Sequence, residues 1–212
     1  MCKRFTALSR EAILRNVYCQ LVNKESNSKW LAREPHKDVL DLAVRYKVIV
    51  HEHEHCMSSF IMNNVLCSRY GIGLMELDAV ARRNTKEKGF RVLKIGDLLT
   101  ELAYGQDRKR EIARYAQLWV FTNEKLIDGA GVLLFPEWFQ GLASELEDDL
   151  YILPSSIREV LAVPVSGNTV GLLRNLVCDM NARMKNVHGI EYEILSGNVY
   201  RYSLERGELT IT

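Results

Sequence analysis

The apolar positions of this chain alternate between stretches with helical spacing and short strand-like runs. Helical spacing predicts a first helix that starts at Ser9, whose hydroxyl can cap the first turn, and that includes Val17 and Leu21 before the polar run 23–28. The same spacing predicts four further helices, over residues 74–83, 95–103, 136–146 and 169–184.

Runs rich in β-branched and aromatic residues predict strands over 118–121, 131–135, 150–153 and 160–163, with a terminal hairpin over 199–211. Residues Val39 to Val50 fit a helix face and a strand equally, and with the run from Phe60 to Leu66 they could form a hairpin. Strands and helices that alternate irregularly predict an α+β fold with a mostly antiparallel sheet flanked by helices. We expect one domain, 1–212, with 1–105 and 115–212 as its alternative sub-parts.

Charge and composition exclude several classes of partner. Lys and Arg total 28 against 27 Asp and Glu, a net charge of +1, so nothing attracts the chain as a whole to nucleic acid. The basic cluster from Arg108 to Arg114 is broken by Glu111, which is typical of a solvated helix face. No long apolar run is present, so we expect a cytoplasmic protein without a membrane span or signal peptide.

The cysteines point to the same compartment. There are five, an odd number, and none forms a C-x-x-C pair, which indicates reduced thiols rather than a disulfide framework. Cys19 and Cys178 lie within apolar patterns, so both are predicted to be buried.

The pentad from His51 to His55, with glutamates at 52 and 54, is the most conspicuous candidate for chemistry. On a helix, His51 and His55 would lie one turn apart and could bind zinc, with Glu52 as general base and Glu76 as a third ligand. On a strand, His51, His53 and His55 would share one face and could hold zinc or copper. A solvated hairpin tip is the third reading and the one we favour, so no cofactor is predicted and zinc is the alternative.

A second polar group lies between two predicted strands, from Pro154 to Glu159. Ser155 and Ser156 have no nearby histidine to act as a base, so a nucleophile is not expected. Ser156 and Glu159 have the spacing of a capping box, which predicts one helical turn there. Arg158 and Glu159 could bind a carboxylate or the main chain of a partner.

Two asparagines extend this candidate surface. Asn123 and Asn181 each end an apolar run, where asparagine usually forms a turn. As binding residues they would have to converge in space with Ser155 and Arg158.

Five strings of the chain are distinctive: WVFTN from Trp119, GAGVLLFP from Gly129, DLYILPSSIREVLAVP from Asp149, NVYRYSLERGELTI from Asn198 and, earlier in the chain, PHKDVLDLAVRYKVIV from Pro35. They resemble strings of a bacterial family of unknown function, domain-of-unknown-function family 5688. The resemblance extends from near Phe5 to the end. It implies a strand over Val39 to Val50, an acidic rather than histidine-rich hairpin tip, and histidine where this chain has Arg158. It implies no activity or cofactor.

Together these patterns predict a non-enzymatic module that binds another protein. Its candidate binding residues are Asn123, Ser155, Ser156, Arg158, Glu159 and Asn181. A zinc-dependent hydrolase built on His51, Glu52 and His55 is the alternative. An association with a phage or other mobile element is a hypothesis that no residue or motif of the sequence supports.

Overall fold

A computed structural model of the chain describes residues 8–53, 56–95, 117–154, 156–186 and 189–212. The chain divides into two compact units, Met1–Lys88 and Gly89–Thr212. Each contains an antiparallel sheet with helices, so the predicted α+β class is confirmed. The predicted single domain stays a prediction. The predicted helix over 95–103 and the basic cluster lie outside the described residues, apart from Ile95.

The first unit is organised around one long strand. Its elements are α1 (Arg10–Arg15), β1 (Val17–Asn23), α2 (Ser28–Leu31), β2 (His36–Val39), β3 (Leu42–His53), β4 (Cys56–Ile61), α3 (Asn64–Tyr70) and α4 (Leu74–Lys88). Strand β3 pairs antiparallel with β1, β2 and β4. The strand predicted for Val39 to Val50 is therefore confirmed in its main part, and Leu40, at φ 55°, turns the chain from β2 into β3.

The first helix is shorter than its apolar spacing predicts. Ser9 caps it as expected, since its Oγ accepts a hydrogen bond from the Ala12 N–H at 3.1 Å. The helix nevertheless ends at Arg15, and Val17 and Leu21 belong to β1, so this part of the prediction was wrong. Tertiary pairing overrides local spacing here, because β1 pairs with β3 along its whole length.

Two other elements of the first unit differ from expectation. The run from Phe60 to Leu66 was predicted as a strand, but β4 ends at Ile61 and α3 begins at Asn64. The Oδ1 of Asn63 accepts a hydrogen bond from the Leu66 N–H at 2.9 Å, so a helix cap follows the strand directly.

The second unit contains a six-stranded antiparallel sheet in the order β10-β9-β7-β8-β6-β5. Its elements are β5 (Arg91–Lys94), β6 (Trp119–Thr122), a 3-10 segment (Gly129–Leu134), α5 (Glu137–Leu146), β7 (Leu150–Leu153), β8 (Val160–Pro164), α6 (Val170–Asn186), a short 3-10 turn (Glu191–Glu193), β9 (Tyr200–Ser203) and β10 (Glu208–Ile211). The strands predicted around 118–121, 150–153, 160–163 and the terminal hairpin are confirmed.

The predicted strand over 131–135 was wrong. Residues Gly129–Leu134 form a buried 3-10 segment, with the Gly131 N–H donating to the Asp128 carbonyl at 3.0 Å. A short continuous apolar run indicates that the segment is buried, but it does not distinguish a helical segment from a strand.

Both faces of this sheet are covered by apolar side chains. On one face Leu173 and Val177 of α6 join a core cluster with Tyr151 and Leu161. On the other, the rings of Phe121 and Phe139 lie 4.7 Å apart, and α5 carries Phe139. Cys178 of α6, predicted to be buried, is exposed, whereas Cys19 is buried as predicted. Within the described parts of the chain, no helix combines the length and apolar character needed to cross a bilayer.

Candidate functional site

The loop between β7 and β8 contains three of the predicted site residues in one hydrogen-bonded turn. The Ser156 hydroxyl donates to Glu159 Oε1 at 2.9 Å and accepts from the Arg158 N–H at 3.1 Å. No helical turn is present at 156–159, so the predicted capping of a helix was wrong. Strands β7 and β8 pair antiparallel, so residues 154–159 connect the two strands of a hairpin. The hydrogen bond between Ser156 and Glu159 stabilises this connecting loop.

Arg158 is anchored to the opposite wall of the site by Glu193. Its Nε donates to Glu193 Oε2 at 2.8 Å and its Nη2 donates to Oε1 at 2.6 Å, a bidentate ion pair. The Glu193 side chain is 6% exposed and that of Arg158 is 53% exposed. The hydrogen bonds and charge of Glu193 raise the pKa of Arg158 above its usual value. The Ile157 N–H also donates to the Glu193 carbonyl at 2.9 Å, so main chain and side chains fix the loop together.

The loop also packs against the end of β6. The Thr122 hydroxyl donates to the Arg158 carbonyl at 2.7 Å. Next to it, a Cβ at Gly129 would lie 2.2 Å from the Arg158 carbonyl oxygen and 2.4 Å from Thr122 Oγ1. Only glycine fits at this close approach of two backbones.

Asn123 closes the turn that follows β6. Its Nδ2 donates to the Ile127 carbonyl at 2.7 Å, and its Oδ1 accepts from the N–H groups of Lys125 and Ile127 at 3.1 and 3.3 Å. These contacts match the turn-forming role that asparagine usually has at a strand end. Asn123 is therefore brought near Arg158 through its neighbour Thr122, with its side chain engaged in the turn.

The remaining predicted residues are placed differently. Asn181 lies on α6, where its Nδ2 donates to the Ser196 carbonyl at 2.9 Å. Its Oδ1 is buried and has no hydrogen-bond partner in the part of the chain that the structure describes. Ser155 lies outside the described residues.

An open groove of about 410 Å³ lies between this loop and the end of α6. Ser156, Arg158 and Glu159 line it, together with Met180, Arg183, Met184, Ile190 and Glu193. Sequence reasoning missed the second group. The sequence does show that Met180 and Met184 are one helical turn apart and so share a face of the helix. It does not show that residues 190–193 fold back next to this face and thereby form the groove.

The described part of the histidine-rich segment, residues 51–53, lies at the end of β3, where β3 pairs with β4. His51 and Glu52 are in β3, opposite Ser58 and Met57 of β4, and the Glu52 carboxylate lies 3.7 Å from Lys88 Nζ. The predicted hairpin is thus confirmed, and residues 51–53 are extended, not helical as the zinc-hydrolase motif requires. Glu54 and His55 lie outside the described residues. Glu76, the suggested third ligand, instead forms an ion pair with Arg10 at 2.5 Å.

A second polar cluster, which the sequence did not reveal, lies inside the first unit. Asp78 accepts hydrogen bonds from Lys37 at 2.7 Å, Tyr46 at 2.9 Å and Arg82 at 3.1 Å. Burial alone would raise the pKa of Asp78, but these donors outweigh it and hold the pKa below its usual value. Burial and the Asp78 charge raise the pKa of Tyr46. The cluster links α4 to β2 and β3, and the near-complete burial of Asp78 and Tyr46 makes it a structural feature.

No group of three histidine, cysteine or acidic side chains among the described residues is arranged to hold a metal ion. Comparisons with curated proteins and with solved structures found no match. The model of a family of unknown function, DUF5688, matches residues 3–204, which is nearly the whole chain and agrees with the strings identified in the sequence. The chain therefore belongs to the DUF5688 family.

Proposed function

We propose that this protein is a non-enzymatic module that binds another protein through the groove between the β7–β8 loop and the end of α6. The observation that carries the proposal is the make-up of this groove: Met180, Met184 and Ile190 supply apolar surface, and Arg158 and Arg183 supply cations. In protein–protein interfaces, methionine and arginine are enriched, and a few buried apolar or arginine side chains contribute most of the binding energy.

The methionines suit such a role. Met180 packs partly against the core cluster of the second unit, which fixes one side of the groove. A methionine side chain is unbranched and flexible, so it can adapt to the apolar group of a partner. The groove can therefore combine a fixed wall with an adaptable surface.

The two arginines have different roles. Arg158 is held by the buried carboxylate of Glu193, so it contributes a positioned but partly neutralised cation. Arg183 is exposed and, within the residues that the structure describes, has no hydrogen bond or ion pair. Arg183 is thus the residue whose charge a partner would meet first, and its replacement should leave the fold intact.

A comparative affinity capture tests this proposal. The full chain is immobilised as wild type, Arg183→Glu and Arg206→Glu, the last being a matched charge reversal in the β9–β10 turn. A lysate of the organism that encodes the chain is passed over all three. We expect one protein retained by wild type and Arg206→Glu and lost from Arg183→Glu, with equal melting temperatures.

The captured protein is then purified and titrated against the same three variants. Saturable binding that Arg183→Glu weakens at least about tenfold supports the proposal. Identical protein sets on all three columns would overturn it.

A further inference from the structure

We propose that the partner docks as an amphipathic helix along α6, with a carboxylate placed to pair with Arg183. This inference rests on the proposed function and adds the chemistry of the bound segment. An exposed strip on α6, next to the groove, supports it.

The strip begins with two exposed leucines. Leu172 is 70% exposed and Leu176, one turn later, is 42% exposed. Leu173 and Val177, on the adjacent side of the helix, are buried in the core. The exposed leucines therefore form an apolar strip that runs along α6 beside its buried face.

The strip continues into the groove. At about 100° per residue, Leu172, Leu176 and Arg183 fall within about 40° of one another around α6. Arg183 also lines the groove, with Met180 and Met184 beside it. From Leu172 to Met184 the surface extends about 18 Å, which is three turns of a partner helix.

The charges of the strip select the kind of helix. Asp179 lies on the same side of α6 as Arg183, one turn before it, and both are exposed. A partner helix must therefore place apolar residues against the leucines, a carboxylate against Arg183 and no carboxylate against Asp179. Like charges facing each other across an interface cost affinity, so this order of charges gives the strip a preferred partner.

A second copy of the chain fits this pattern poorly. In an antiparallel pair of α6 helices, the leucines of the two copies meet only if the helices cross at residue 174. Asp179 of one copy meets Arg183 of the other only if they cross at residue 181. The two cannot be satisfied together. A parallel pair would bring each Arg183 against its own copy. Pairing of α6 with a second α6 therefore does not satisfy the strip, which favours a partner other than a second copy.

Selection from a display library tests the inference. The library encodes helical peptides of about 16 residues, long enough to cover the strip, with randomised positions. The full chain serves as bait in wild-type form and as Arg183→Glu, Leu172→Ser/Leu176→Ser and the control Met75→Ser, which alters an exposed apolar residue of the other unit.

We expect wild type and Met75→Ser to enrich peptides with apolar residues three or four apart and an acidic residue beyond them. The preference should change from acidic to basic with Arg183→Glu, and enrichment should disappear with the double serine variant. No enrichment, or peptides whose charge is indifferent to residue 183, would overturn the inference. Self-association of the bait that the serine variant abolishes would also overturn it, in favour of a second copy.

The two proposals fail separately. If capture of a protein depends on Arg183 but the library shows no charge preference, the proposed function is retained and the inference of a helical partner segment is refuted. Loss of Arg183 dependence in the capture experiment removes the proposed function itself.

Discussion

The guanidinium of Arg158 forms two hydrogen bonds with the carboxylate of Glu193, which is almost fully buried. This pair joins the β7–β8 loop to the short 3-10 turn that forms the far wall of the groove. A residue that the sequence marks as a binding candidate therefore also holds the site together.

Replacing Arg158 with alanine should destabilise the second unit. The change leaves the buried carboxylate of Glu193 without its cation, and we expect a loss of about 1–2 kcal/mol, reduced from the value of a buried pair because Arg158 is half exposed. Chemical denaturation of the full chain measures it.

Arg201→Ala is the matched control. Arg201 is similarly exposed and pairs with Asp149, whose side chain is 20% exposed, so its loss should be smaller. Equal losses in the two variants would show that the burial of Glu193 does not matter.

Gly129→Ala should be strongly destabilising. The new methyl group would collide with the Arg158 carbonyl and with Thr122, which forces the strand end and the loop apart at a cost of about 1–3 kcal/mol. Gly141→Ala provides the opposite control, since it lies in α5 with open space around it and should gain about 0.5–1 kcal/mol. Thermal unfolding of both variants checks the contrast, and a neutral Gly129→Ala would contradict the close approach.

Asp78→Asn should destabilise the first unit at neutral pH by about 1–3 kcal/mol, because a buried carboxylate with three donors is replaced by an amide. The folded pKa of Asp78 lies below that of the unfolded carboxyl, so its ionised form stabilises the fold above about pH 4. That contribution is lost as the pH falls through the folded pKa.

The difference in unfolding free energy between wild type and Asp78→Asn should therefore shrink in acid. Tyr46→Phe, which removes one donor and keeps the carboxylate, should cost less at pH 7. A gap between wild type and Asp78→Asn that stays constant from pH 7 to pH 3 would refute the role assigned to the charge.

The cysteines should differ sharply in reactivity. Burial raises the pKa of Cys19 to about 12, so its thiolate is scarce at pH 8 as well as inaccessible. Cys178 is exposed on α6. Brief alkylation followed by peptide mass spectrometry should find Cys178 modified and Cys19 intact until denaturant is added. Modification of Cys19 in the native protein would mean that β1 opens readily.

The sequence predicts the fold class and, among the described strands of the second unit, all except β5, because strands such as Leu150–Leu153 combine β-branched and apolar residues between clear turn signals. It fails where distant contacts decide the local structure. Val17 and Leu21 have helical spacing but pair with β3, and the run Gly129–Leu134 is shaped by its packing against residues 122 and 158.

The site shows the same division. Ser156, Arg158 and Glu159 are close in the chain, and their polar side chains mark them as a candidate surface. Glu193 and the two methionines are distant in sequence, so only the folded chain shows that they form the opposite wall. The sequence also predicts Asn123 and Asn181 as members of this group, but both use side-chain amides to bind carbonyls of their own unit.

Photo-crosslinking from the wall of the groove tests the central claim most directly. A benzophenone amino acid replaces Met184 in the full chain, expressed in the organism that encodes it, and replaces Met75 in a parallel control. We expect one discrete protein adduct from position 184 that Arg183→Glu removes. No adduct at 184, or the same adduct from position 75, would contradict the assignment of this groove as the docking surface.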